Sequence, residues 1–160
     1  MNHPPLERST SARSGEYELE RYRYILQQLN SVNENVHRYL TVYQTLATAL
    51  GGGALLVFAS RTSWGLTAAT AKASIIGLLS LLTLVGLFCS MLIFVGMLSW
   101  LDYRREECEL TDEAVYPGFR KPPNRRNFIR WHETYIIAFI LTSTILLWVL
   151  TLSLLLPSIT

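Results

Sequence analysis

The sequence predicts an all-α membrane protein with three transmembrane helices, the first continuous with an N-terminal cytoplasmic amphipathic helix. Three observations carry that expectation. Half of the 160 residues are hydrophobic, and they fall in three long blocks, whereas a soluble core would scatter them along the chain. Each block is free of charge over roughly the 20 residues that a bilayer crossing takes. Apolar residues also recur at steps of three and four well upstream of the first block, which keeps them on one side of a helix.

Residues 1–15 are rich in Pro, Ser and Arg and have no apolar core region. They are therefore expected to be disordered, with no cleavable signal peptide. Ser14 reads as a helix N-cap, followed by Glu16, Glu18 and Glu20, acids that a helix N-terminus favours. From there residues 16–59 are expected to form one element, a cytoplasmic stalk running into a first span at about 39–59. At ~1.5 Å of rise per residue it would be ~60 Å long.

Two stripes run along this element. Ile25, Leu29, Val32, Val36, Tyr39, Tyr43, Leu46 and Leu50, with Val57 beyond, form the apolar one. Arg23, Gln27, Asn30, Glu34, Thr41, Thr45, Thr48, Gly52 and Ala59 form a small or polar one opposite. A sustained seven-residue repeat implies packing between helices. Leu29, Val32 and Val36 would stand in water on a lone stalk, and burying each is worth ~1.5–3 kcal/mol. The apolar stripe is thus the expected interface between copies. Gly51, Gly52 and Gly53 each cost ~1 kcal/mol relative to alanine in a helix, which makes them the expected hinge.

Residues 60–73 read as an external link, with Trp64 placed as an interfacial anchor. The second span, 74–101, carries Gly77, Ser80, Thr83, Gly86, Ser90, Gly96 and Ser99 around its circumference, so close neighbours on more than one side are expected. Residues 102–132 form a charged insert. Its acids, from Asp102 to Glu113, extend the second helix until Pro117-Gly118 ends it. A basic and aromatic run follows: Arg120, Lys121, Arg125, Arg126 and Arg130 among Phe119, Phe128 and Trp131. The third span, 133–159, has Thr142-Ser143-Thr144 in its middle.

Orientation is read from Lys and Arg. Five precede Leu40, two lie in the first link, seven lie between Leu101 and Glu133, and none follows Arg130. Basic segments stay in the cytoplasm, so the stalk and insert are expected inside, and the link and C-terminus outside. In a bacterium that membrane would be the inner one.

Catalytic motifs are missing. There is no Gly-rich phosphate loop, nucleophile elbow or pair of metal ligands, and Cys89 and Cys108 stand apart from any Cys/His cluster. No catalytic residue, metal or cofactor is expected, and the chain is not expected to be an enzyme. Arg126 and His132 have the short Arg-to-His spacing of HEPN-type ribonucleases, a pattern frequent by chance; an interfacial histidine at the mouth of the third span accounts for it.

Arg120, Lys121, Arg125, Arg126 and Arg130, interleaved with aromatics, suit an anion: a nucleotide, a nucleic acid or lipid headgroups. Positive-inside anchoring predicts the same residues at the same place and is the favoured reading. Direct double-stranded DNA binding is not expected. The stripe of Thr41, Thr45, Thr48 and Gly52 also has two readings. It lines a water-filled path between copies, or it forms a dry seam in which threonines bond to their own preceding turn. Its continuation into the polar face of the stalk favours the first.

No charge lies inside any span, which argues against a transporter, and three helices enclose no pore alone. The segment Tyr22-Arg23-Tyr24-Ile25-Leu26-Gln27-Gln28-Leu29, fused to a Thr- and Gly-bearing span, precedes a second span that ends in Trp100-Leu101-Asp102-Tyr103-Arg104-Arg105. Over about residues 17–105 this layout resembles the small SLATT-type bacterial membrane effectors. The resemblance implies an assembly that permeabilises the inner membrane within nucleotide-signalling and anti-phage modules. Such effectors have two spans, whereas this chain adds a basic insert and a third; no binding residue is carried over. The expected function is an oligomeric, pore-forming effector gated from the cytoplasm. The alternative is a non-conducting anchor that holds a cytoplasmic partner through the stalk. Expected partners are the lipid bilayer, other copies of the chain, and a cytoplasmic protein or nucleotide.

Overall fold

The computed structural model describes residues 6–124 and 129–159, with side chains from Gly15 onward. Three long helices dominate: α1 (Leu6–Ser60), α2 (Ala68–Ala114) and α3 (His132–Leu150), the last extended by a π-helical stretch at Thr151–Leu155. Among the described residues there is no strand. Each of the three helices, counting α3 as far as Leu155, is long and apolar enough to cross a membrane.

Several boundaries differ from expectation. The backbone of α1 is already helical at Leu6, inside the stretch expected to lack order. Leu6-Glu7-Arg8 and Ala12-Arg13 are good helix formers, and Pro4-Pro5 stands just ahead of them, where proline is tolerated. Ser14 therefore lies within the helix and not at its cap. The Gly51-Gly52-Gly53 run does not interrupt α1. The link is shorter than 60–73, because α2 starts at Ala68. Thr67 sets that start: its Oγ1 accepts the N–H of Thr70 at 3.2 Å, an N-cap bond, and its carbonyl accepts that of Ala71 at 3.0 Å. The preceding turn closes through Gly65 at φ 63°, a left-handed conformation that glycine adopts without strain.

The chain divides into two compact units. One holds residues up to Asn35 together with Gly96–Asn127. Here α1 pairs with the end of α2. Ile25, Leu29 and Leu110 are buried, with Tyr22, Leu26, Trp100 and Tyr103 against them, and Val32 Cγ1 lies 3.6 Å from where a side chain on Gly96 would begin. Arg21 fastens the pair, donating from Nε at 3.0 Å and from Nη2 at 2.6 Å to Glu106 Oε1.

The other unit holds Val36–Val95 and Phe128–Thr160. Its centre is Tyr43, which is 2% exposed. The phenol OH lies 2.8 Å from Ser143 Oγ and 2.9 Å from Thr144 Oγ1, and it donates to the Ile140 carbonyl at 3.2 Å. Gly86 of α2 makes this approach possible. A Cβ there would sit 3.3 Å from both Thr144 Oγ1 and the Tyr43 ring. Trp148 Nε1 donates to Thr83 Oγ1 at 2.9 Å and ties α3 to α2 a second time. Ser143, Thr144 and Trp148 of α3 thus find hydrogen-bond partners within the protein.

Candidate functional site

Three places combine exposure, charge or hydrogen-bonding capacity: the stripes of α1, the insert that follows α2, and the turn between α1 and α2.

The apolar stripe is not the free surface that the heptad suggested. Ile25, Leu29, Val36 and Tyr43 are buried by the chain itself, Val32, Tyr39 and Leu50 are half-buried, and Leu46 is exposed. Within one copy the chain itself therefore covers part of the stripe expected to pair with other copies. A heptad requires an apolar neighbour, and α2 and α3 already supply it. Substituting Ile25→Ser with Leu29→Ser is therefore expected to lower the melting temperature in detergent. Each buried aliphatic is worth ~1.5–3 kcal/mol. Mass by light scattering should hold; a halved mass with an unchanged melt would return the stripe to an inter-subunit role.

The opposite stripe is exposed along its whole length. Arg23, Gln27, Asn30 and Glu34 are exposed in the first unit, and Thr41, Thr45, Thr48, Gly52 and Ala59 in the second. Each threonine donates its hydroxyl one turn back at 2.9 Å: Thr41 to His37 O, Thr45 to Thr41 O and Thr48 to Gln44 O. Those protons are satisfied without water, while lone pairs stay available to an outside donor. Of the three glycines expected to form a hinge, a Cβ on Gly53 would lie 3.7 Å from Leu78 Cδ1, and nothing lies within 4 Å of where side chains on Gly51 and Gly52 would begin.

In the insert, charge is used for structure. Glu107 is fully buried, ion-paired through Oε2 with Arg104 one turn earlier and through Oε1 with Arg120 Nε at 3.5 Å. Cys108 Sγ donates to the carbonyl of Lys121 at 3.6 Å. Both contacts hold the segment after α2 against that helix. The reversal between them uses Gly118 at φ 81°, whose N–H is accepted by Asp112 Oδ1 at 3.0 Å. Burial pushes the Cys108 thiol above its ordinary pKa, and Glu107 adds to the rise against the neighbouring arginines.

The five basic candidates do not act alike. Arg120 is held by Glu107, while Lys121 and Arg130 are exposed, the latter in the other unit. Arg125 and Arg126 lie outside the described residues. Between α1 and the end of α2 is an apolar groove of about 350 Å³, lined by Glu18, Leu19, Tyr22, Leu110, Val115 and Phe119 among others. Among the described residues, no group of three or more His, Cys, Asp or Glu side chains is placed to hold a metal ion. His37 and His132 stack with ring centroids 6.2 Å apart.

Sequence reasoning missed Glu107, reading it as one acid among several. The Arg104 three residues before it was a signal, but its pairing with Arg120 is made only by the fold. It also placed Tyr43 among apolar contacts and overlooked its hydroxyl. No family model, curated protein sequence or solved structure matches this chain.

Proposed function

We propose that the chain is an integral membrane effector that assembles from several copies and permeabilises the bilayer, controlled from the side that carries the insert. In this reading the N-terminus and insert are cytoplasmic, the C-terminus is external, and the stalk part of α1 stands in water. The lysine and arginine distribution supports that orientation.

One observation carries the proposal: α1 buries Ile25, Leu29, Val36 and Tyr43 of its apolar stripe within the chain and leaves Thr41, Thr45, Thr48 and Gly52 exposed. Elsewhere the spans expose large aliphatic and aromatic side chains such as Leu84, Phe88, Ile145 and Leu152, a surface suited to lipid. The threonine face is small and can accept hydrogen bonds. Three helices enclose no pathway, so conduction needs copies arranged with this face inward. Permeabilisation of a bacterial inner membrane as an anti-phage response agrees with the SLATT-type resemblance.

A second reading, an anchor that holds a cytoplasmic protein, is favoured by the apolar groove between α1 and the end of α2. Two substitutions separate them. In an aqueous pathway, Thr48→Asp adds a ring of carboxylates and shifts conductance toward cations. In a dry or lipid-facing seam the same aspartate costs ~2.5–3.5 kcal/mol per copy and disrupts insertion or assembly. Thr48→Leu blocks a pathway and leaves an anchor intact. Membrane depolarisation on expression, read beside oligomer mass, gives the answer. Disassembly of Thr48→Asp together with wild-type behaviour of Thr48→Leu would end the pore reading.

A further inference from the structure

The end of the α1–α2 pair leaves apolar surface open in the part of the chain that reads as standing in water. Ile25, Leu29 and Leu110 close the contact between the two helices, yet the groove that Leu110 shares with α1 stays uncovered. Leu19, Val115 and Phe119 line it and are exposed. Phe119 is set in place by Tyr116, whose ring meets it edge-on at 5.3 Å. In the other unit a third helix covers the pair, since α3 bonds to Tyr43 of α1 and to Thr83 of α2. Among its described residues this unit contains no third helix.

The charge of the unit says what kind of occupant fits. Among the described residues that line the groove, Glu18 carries the one charge. Residues 15–35 and 96–124 hold ten Asp and Glu against six Lys and Arg. Four of those six bases already lie beside acids of the same unit: Arg21 by Glu106, Arg104 and Arg120 by Glu107, and Arg105 by Asp102 and Glu109. The surplus is negative, and such a field draws cations and repels anionic lipid. A second copy would bring the same acidic end, and like charges across an interface are costly. The groove follows two turns of α1, from Gly15 to Tyr22. An apolar groove of that kind suits the apolar face of a further helix, with contacts at i, i+3, i+4 and i+7.

We propose that this groove docks a basic amphipathic helix of a cytoplasmic protein, its apolar face against Leu19, Leu110, Val115 and Phe119 and a Lys or Arg beside Glu18. This rests on the reading that the stalk stands in water on the cytoplasmic side, and it gives the control exerted from that side a class of partner. The docked helix covers this unit as α3 covers the other, and its cations offset the surplus of acids.

The test uses the full chain in phosphatidylcholine nanodiscs, with empty nanodiscs as the blank. The probe is a fluorescein-labelled peptide with leucine along one helical face and lysine elsewhere, and its counterpart has glutamate in place of lysine. Fluorescence anisotropy is expected to show the basic peptide bound in preference to the acidic one, and less so at high salt. Leu19 is 49% exposed, so docking covers about half of a leucine side chain, and Leu19→Ser should weaken binding about fivefold. Phe119→Ser should weaken it at least as much. Glu18→Lys should reduce the preference for the basic peptide. Tyr24→Ser, at an exposed position off the groove, should match the wild type. Helix content by circular dichroism screens out variants that fail to fold. Equal binding of the two peptides, or undiminished binding by Leu19→Ser and Phe119→Ser, overturns the proposal. A fall in oligomer mass in Leu19→Ser would give the groove to a second copy and overturn it as well. Glu18→Cys keeps the two readings apart. Both native cysteines are buried, so a membrane-impermeant maleimide on inside-out vesicles should label this variant above the wild type. Absence of that labelling refutes the stalk in water, while labelling without a peptide preference refutes only the docking site.

Discussion

Replacing Gly86 with leucine is expected to pull α3 away from α1 and α2, a larger effect than any hydrogen-bond deletion in the same unit. A Cβ at this position begins 3.3 Å from Thr144 Oγ1 and from the Tyr43 ring, and 3.4 Å from Ile140 Cγ2. Alanine already requires those neighbours to yield by tenths of an ångström. Leucine needs room for three more carbons, and overpacking of this kind costs ~1–3 kcal/mol. It also carries Tyr43 away from Ser143 and Thr144, which removes their shared bonds. Tyr43→Phe isolates the hydroxyl contribution. Ser143 Oγ and Thr144 Oγ1 both donate to the Ile140 carbonyl already, at 3.0 and 2.8 Å, so they stay satisfied. Interhelical hydrogen bonds in membranes average ~0.6 kcal/mol. Melting temperature in detergent should therefore fall in the order Gly86→Leu, Gly86→Ala, Tyr43→Phe, and Trp148 emission should shift with the first. If Tyr43→Phe proves the most damaging, the unit is held by its polar cluster and not by close packing.

Glu107→Gln is expected to free the segment after α2 and expose Cys108. The carboxylate is fully buried between two arginines that are themselves 24% and 38% exposed. Breaking a buried ion pair costs ~3–5 kcal/mol, and the partial solvation of both arginines puts this case at the lower end. The readout is alkylation of Cys108 in a Cys89→Ser background. Thiolate is the reactive form, and burial holds this thiol above its ordinary pKa. Native protein should thus react slowly near neutral pH and faster as pH rises toward that raised value. In Glu107→Gln the thiol gains water and loses a neighbouring negative charge. Both changes lower its pKa, so labelling should accelerate at a fixed mildly alkaline pH. Unchanged labelling beside an unchanged melt would mean that Arg120 does not hold the segment down.

The outline of this protein was legible in the sequence because its determinants are local. Blocks of apolar residues specify long apolar helices whatever lies beside them, and Pro117-Gly118 ends a helix by its own backbone preferences. The N-cap at Thr67 was equally available from residue type and spacing but lay inside the stretch read as link. Periodicity goes one step further and defines a face, as it did for both stripes of α1. It cannot name the partner of that face. The heptad from Ile25 to Tyr43 fits another copy of the helix as well as it fits α2 and α3, since apolar contact carries no address. Only the tertiary structure decided that this chain covers it. The same holds for the contacts that organise each unit. Glu107 meets Arg120, and Tyr43 meets Thr144, through space that the sequence does not describe. Of the several small residues around α2, only Gly86 is shown to lie where a side chain would crowd both α1 and α3. Burial and pairing belong to the fold, because each depends on which distant side chain arrives to exclude water.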